Sequence, residues 1–447
     1  MGGLGVDGVC SGRPEGVLGV PGGGRYGRWF DASFLGAFLF TVAGPVPRYL
    51  FFAAALAFFF KARLWRSVAG VWGLVPWPFR WGLWTLIVFG LVSELAGCRG
   101  LAEVLKGYSL VLEPFLGGLM GFAFFLRRGS FRRWMILWPW VLMITLLAVL
   151  CCTVGPFASR EIGGALSHKG MWYAAPLAVT LAPVALSVFA LARGWGRALW
   201  WGVVFVLCAL CALVGRSSAG IIGFAVGVLV AASCFLRLGR GGRECRRLGG
   251  LALLALLVAS AVLIGSSTVR GYVMAEAAQI WSLRDALRTG DFEMFTTFRN
   301  LIWRMGMDLF SQRPLVGWGW GRLDRWAPLV RDPALRERWV SVSGEWPSHL
   351  HNDFMELLVS MGVLGGAVYL GLAYGFLRMS AGVVVMYRLR HPCAVGLAGA
   401  MLGALVWGMA GGVIAERSVS GMFYWTLWGA LMGLYCRGCL AGLRSRA

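Results

Sequence analysis

His349-Leu350-His351-Asn352-Asp353 carries two histidines, an amide and a carboxylate, and Glu356 follows one helical turn later. An unperturbed imidazole titrates near pH 6.5, so His351 at the mouth of an apolar run is a candidate general base. In an extended chain alternate residues face one side, and His-x-His-x-Asp then has metal-ligand spacing. No further ligand cluster accompanies it, so a site without metal is expected and His349 becomes a supporting residue. Asp353 and Glu356 have the spacing of a helix start, where a carboxylate suits the positive end of the helix. Glu356, one turn deeper, is placed to orient a histidine or an arginine.

Three arginines distant in sequence are candidates for the complementary chemistry. Arg216 sits in Gly215-Arg216-Ser217-Ser218 between two apolar runs. It reads as a snorkelling interfacial side chain or as an anion contact, since a guanidinium matches phosphate oxygens bidentately. Arg299, with Trp303 one turn later, reads as a solvated helix face or as a second anion contact. Arg160, beside Glu161, is a weaker third. Two arginines at one membrane boundary would grip a pyrophosphate.

The elements that must position these residues are apolar. The 447 residues are 58% hydrophobic and 14% charged, with mean hydropathy +0.71. Soluble domains carry about 25% charged residues. Twelve segments approach or exceed the length of a membrane span: 30–45, 48–60, 79–97, 104–126, 134–153, 171–192, 198–214, 217–237, 248–267, 352–377, 394–414 and 420–437. The first two are short, and Gly44-Pro45-Val46-Pro47 between them permits a hairpin or a re-entrant pair. The expected fold is therefore an all-α polytopic membrane protein of about 12 transmembrane helices. One large outer loop precedes the last three.

Orientation follows from the basic residues. With the N-terminus inside, inner segments hold 24 lysines and arginines and the short outer loops seven. Both termini are then cytoplasmic. Residues 1–29 form a Gly-rich tail, 30–267 carry nine spans, 268–351 form the outer loop, 352–437 carry three spans, and 438–447 form a second tail. Within the loop, Phe295, Phe298, Ile302, Met305 and Leu309 have helical spacing, predicting an amphipathic helix over 292–310 that lies on the membrane surface. Trp318, Trp320, Trp326, Trp339 and Trp346 suit either sugar stacking or interfacial anchoring.

A formal charge of +22 raises the question of nucleic acid, but the basic residues lie in short clusters between apolar runs and form no soluble basic domain. Cysteines such as Cys151, Cys208 and Cys234 fall in or beside apolar runs, and the long loop has none, so a disulfide framework is not expected. A flippase or transporter predicts charged residues at mid-membrane on several spans. The unusual polar residues cluster at the outer boundary instead, with Glu94 and Glu113 as exceptions.

Residues 212–365 resemble the O-antigen ligase and polymerase superfamily of bacterial inner-membrane glycosyltransferases. Three patterns carry this. They are the Ser/Arg turn at 215–220, Arg299 four residues before Trp303 with Pro314-Leu315-Val316-Gly317-Trp318-Gly319 after it, and His351-Asn352 followed by Gly362 and Gly365. The family more often has serine before the arginine of the first. The third is associated with ligases. The resemblance implies an inverting, metal-independent glycosyltransferase, without cofactor, whose active face is periplasmic. Its donor is a glycan on undecaprenyl pyrophosphate and its acceptor a hydroxyl such as one on lipid A-core. The neighbouring expectation is a Wzy-type polymerase, whose acceptor is another lipid-linked unit. Arg216 and Arg299 are expected to hold the donor pyrophosphate and His351 to activate the acceptor. Arg160, His349, Asn352, Asp353 and Glu356 support them.

Overall fold

A computed structural model describes residues 25–39, 45–97, 100–127, 133–134, 137, 139, 162–192, 194–214, 217–238, 242–265, 267–293, 296, 298–320, 326–343, 349–387, 391–411 and 419–444. Most of the apolar segment at 134–153 lies outside them. Among the described residues all regular structure is helical. The helices are α1 (Arg25–Leu39), α2 (Pro45–Lys61), α3 (Leu64–Val71), α4 (Trp77–Gly97), α5 (Leu101–Leu126), α6 (Ile162–Leu191), α7 (Trp195–Val214) and α8 (Ser218–Leu238). They continue with α9 (Gly242–Gly265), α10 (Ser267–Thr289), α11 (Arg299–Gln312), α12 (Pro333–Ser343), α13 (Asp353–Tyr387), α14 (Pro392–Gly411) and α15 (Val419–Arg444). Among the described residues six helices are long and apolar enough to cross a membrane: those containing Trp77–Ala96, Trp195–Ala212, Ala219–Leu238, Arg246–Gly265, Asp353–Tyr387 and Cys393–Gly411.

Close crossings hold the bundle together. In α8, Gly223 and Gly227 face Gly403 and Gly399 of α14, and a Cβ at Gly223 would lie 2.7 Å from the Gly403 carbonyl. Small residues let the backbones approach, which is how packing drives association where no hydrophobic gradient exists. The pairing is antiparallel, so the N-terminus of α8 and the C-terminus of α14 share one end of the bundle. A second close crossing sets Gly118 and Gly121 of α5 against Trp428 and Gly429 of α15. At α1, Asp31 pairs with Arg127 and Arg133.

Three stretches differ from expectation. Residues 267–289 are helical within the expected loop; they are rich in good helix formers yet too polar to register as a span. The helix expected over 292–310 begins at Arg299. Phe298 is left-handed (φ 62°), and its N–H bonds the Glu293 carbonyl at 2.7 Å, closing a turn that α11 cannot extend through. The apolar face of α11 does not lie free for the membrane. Leu301, Ile302, Met305 and Leu309 are buried in a cluster with Trp318, Trp339, Leu350 and Val359.

The long helix α13 is broken at Gly362 (φ 68°, ψ −158°). A break frees backbone groups that need partners in an apolar setting, and the 314–320 turn supplies them. Trp318 N–H donates to Val359 O at 3.0 Å, Gly319 N–H to Ser360 O at 3.1 Å, and Val363 N–H to Pro314 O at 2.8 Å. The Ser93 hydroxyl of α4 donates to Ser360 O and, at 2.9 Å, to Val316 O. Glu94, fully buried, accepts the Trp320 N–H. Beyond the break, residues 363–387 span about 37 Å at 1.5 Å per residue, enough to cross a bilayer core.

Candidate active site at the His-Asn turn

The four residues 349–352 enter α13 through a turn held on every side. Leu350 is its anchor. Its side chain is buried under Gly306 of α11, where a Cβ would lie 2.8 Å from Leu350 Cδ2. Its N–H donates to Glu356 Oε2 at 2.8 Å, and its carbonyl accepts the Trp303 indole N–H at 3.0 Å. Glu356 thus holds the backbone between the two histidines. Trp303, one turn after Arg299, ties α11 to the same residue.

Asn352 is the N-cap of α13. Its Oδ1 accepts Met355 N–H at 3.1 Å and its carbonyl accepts Glu356 N–H at 2.8 Å, the arrangement that satisfies orphan donors at a helix start. Its Nδ2 donates to the Met409 carbonyl of α14 at 2.9 Å. The capping role expected of Asp353 therefore belongs to its neighbour. Asp353 is buried, with its charge beside Tyr369 and Tyr424.

The two imidazoles do lie together, but an extended chain is not the cause. His351 is left-handed (φ 52°), a strained conformation for a residue with a Cβ. That twist brings the rings to 3.8 Å between centroids at 60°, and His349 Nδ1 accepts the His351 N–H at 3.3 Å. Accepting there assigns the His349 proton to Nε2.

Arg299, at the start of α11, acts on both rings. His349 is held down to about 4, first by burial and then by the Arg299 charge. His351 is held down to about 3 by burial, then by His349 and Arg299, against a hydrogen bond to the Gly411 carbonyl that pulls the other way. Both are neutral at pH 7. An unprotonated base beside a fixed cation can take a proton from a hydroxyl while the cation binds an anion.

Three expectations meet here: Arg299, His349 and His351 converge, with Asn352 and Glu356 as their scaffold. Arg160 and Arg216 lie outside the described residues. Next to the latter, Ser217 Oγ accepts the Gly220 N–H at 3.1 Å and caps α8 at the end it shares with Gly411. Among the described residues no group of three or more His, Cys, Asp or Glu side chains gathers. Trp318, Trp320 and Trp339 are buried, so they are core rather than sugar platforms; Trp346 lies outside the described residues. A groove of about 590 Å³ opens beside the turn, lined among others by Asn300, Trp303, Arg304, Asp332, Asn352 and Met355. Sequence reasoning missed Ser93, Met409 and Gly411. Nothing in a serine or in a backbone carbonyl signals that a distant motif leans on it. It noticed Glu94 and Glu113 as exceptions, and both have protein partners: Glu94 the Trp320 N–H, Glu113 the Tyr49 hydroxyl at 3.2 Å.

Residues 203–370 match the family described as O-antigen ligase. The matched stretch runs from α7 to the first part of α13 beyond Gly362 and contains all three patterns. Over these residues the resemblance to the O-antigen ligase and polymerase superfamily is borne out. The chain is accordingly a multi-pass membrane protein of glycosyltransferase-like kind. No curated protein matches it.

Proposed function

We propose that the protein transfers a glycan from undecaprenyl pyrophosphate to a hydroxyl acceptor, such as one on lipid A-core, at the periplasmic face of the bacterial inner membrane. One observation carries this reading: a neutral histidine pair and a cationic arginine converge on one strained turn in the matched segment. The acceptor oxygen attacks the anomeric carbon from the face opposite the leaving group. The new C–O bond forms as the anomeric C–O bond to phosphate breaks, inverting configuration. The hydroxyl proton passes to His351, and the bond electrons leave with the lipid pyrophosphate.

Arg299, with Arg216 two residues before α8 in the sequence, holds that pyrophosphate and stabilises its developing charge in a poorly solvated site. The donor also strengthens the base. Burial, then His349 and Arg299, hold the His351 imidazole neutral, and a bound pyrophosphate offsets the Arg299 part of this, so His351 becomes more basic once the donor is seated. The leaving group is already activated, and the step draws on no metal ion or cofactor. The groove beside Trp303 offers an aromatic edge and polar side chains for an acceptor sugar.

Purified protein given lipid-linked donor and either lipid A-core or a second lipid-linked unit tests the reading. Product on lipid A-core is the expected result. A ladder on the second acceptor alone replaces ligase by polymerase, and no transfer to either overturns the proposal.

A further inference from the structure

Helix α11 has two faces. Leu301, Ile302, Met305 and Leu309 turn into the core cluster. Asn300, Trp303, Arg304, Met307 and Asp308 recur at helical spacing on the other side, and together they form one wall of the groove of about 590 Å³. Asp332, just before α12, and Leu335 in its first turn line the groove from a second element. It ends at the candidate base. Asn352 follows His351 directly, and the Trp303 indole N–H donates to the carbonyl of Leu350, the residue before it, at 3.0 Å.

The polar groups set what fits. Asn300 commits its amide oxygen to the Thr296 hydroxyl at 3.0 Å, which leaves the amide nitrogen to donate. The Arg304 guanidinium is exposed and bonds no described residue. Asp308 Oδ2 accepts the Arg331 N–H at 2.7 Å and the Gln312 amide at 2.9 Å, and Asp332 Oδ1 accepts the Leu335 N–H at 3.2 Å; the second oxygen of each stays an acceptor. Trp303, Met307 and Met355 add apolar surface. A sugar ring matches this set, because its hydroxyls both donate and accept while its C–H face packs on apolar and aromatic side chains. A phosphate or carboxylate only accepts, and would meet two aspartates for one arginine. A lipid chain would cover the polar groups without pairing them.

We infer that this groove is a subsite for an uncharged sugar ring, with Asn300, Arg304 and Asp308 setting its specificity. That the ring belongs to the acceptor rests on the proposed glycan transfer. Charge then separates the two substrates around one turn. The pyrophosphate goes to Arg299 at the N-terminus of α11, and the uncharged ring lies along the face of α11 where Arg304 stands against Asp308 and Asp332.

The test is saturation-transfer NMR on full-length protein in a detergent without sugar, with the methyl glycosides of glucose, galactose and mannose and their 6-phosphates as probes. At least one neutral glycoside should bind, and its 6-phosphate should bind about tenfold more weakly or less. Arg304→Met breaks no hydrogen bond or ion pair among the described residues, and it should raise the glycoside Kd about threefold to tenfold, the size of one ordinary hydrogen bond. Asp308→Asn keeps an oxygen for the Arg331 N–H and removes the charge, so it should admit the 6-phosphate. In a transfer assay Arg304→Met should raise the acceptor KM by the same factor, the loss falling on KM rather than kcat. No signal from any neutral glycoside, equal binding of the 6-phosphates, or an unchanged Kd in Arg304→Met overturns the inference. Glycoside binding that follows these rules in a protein that transfers no glycan leaves the sugar site intact and removes the proposed function instead.

Discussion

An arginine that binds an anion and also lowers the basicity of its neighbours gives its residues a shared signature. Replacing Arg299 by Gln removes a positive charge beside His349 and His351, so both should titrate at higher pH in the empty protein, read by 15N NMR of the histidine rings. The same variant should weaken donor binding by about tenfold to a hundredfold, the size of one charged hydrogen bond. The two effects have opposite signs for a base: easier protonation, poorer donor. Stability carries a second signature. Both folded values, about 4 and about 3, lie below the ordinary 6.5, so the unfolded chain binds protons first as pH falls. The turn's stability is therefore complete above about pH 6.5 and is lost progressively down to about pH 3, the two rings titrating as a coupled pair. Thermal melts in detergent should drop more between pH 7.5 and 5 in the wild type than in His349→Gln/His351→Gln. Equal drops would contradict it.

At the scale of elements, two of the sequence patterns are one structure. Pro314–Gly319 fills the break that Gly362 makes in α13, and the two are joined by backbone hydrogen bonds. Gly362 sits at positive φ, where an added Cβ would meet the Pro314 and Leu315 carbonyls. Gly362→Ala should cost about 1–3 kcal/mol or more through strain and overlap, read as a lower melting temperature with lost transfer. Glu94→Ala should cost about 1–3 kcal/mol by orphaning the buried Trp320 N–H, while Glu94→Gln keeps an acceptor and should retain most of it. Much of this level was legible in sequence. The segments at 79–97, 198–214, 217–237 and 394–414 correspond to α4, α7, α8 and α14 nearly end to end, because length and hydropathy are local properties. The start of α11 was not, because Phe298 adopts a backbone state that its side chain does not announce. Nor was the interlock of the turn with Gly362, which depends on contacts more than forty residues apart.

For the whole molecule, the ends of α4 and α14, the start of α8 and the head of α13 gather at one end, where Glu94, Gly411, Ser217 and His351 stand. Spacing within the chain showed the candidate residues; only packing shows that Asn352 leans on α14. From the charge bias we propose that this end faces outward. A reporter inserted after Arg338 should therefore be active outside the cell membrane, and one fused after Arg444 inside. The same compartment for both would overturn the orientation. The most direct test is a single-turnover transfer assay in EDTA, comparing wild type with His351→Ala at saturating lipid-linked donor. Transfer by the wild type, slowed at least about a hundredfold in the variant with donor binding unchanged, is the expected result; transfer by His351→Ala at the wild-type rate would contradict the account.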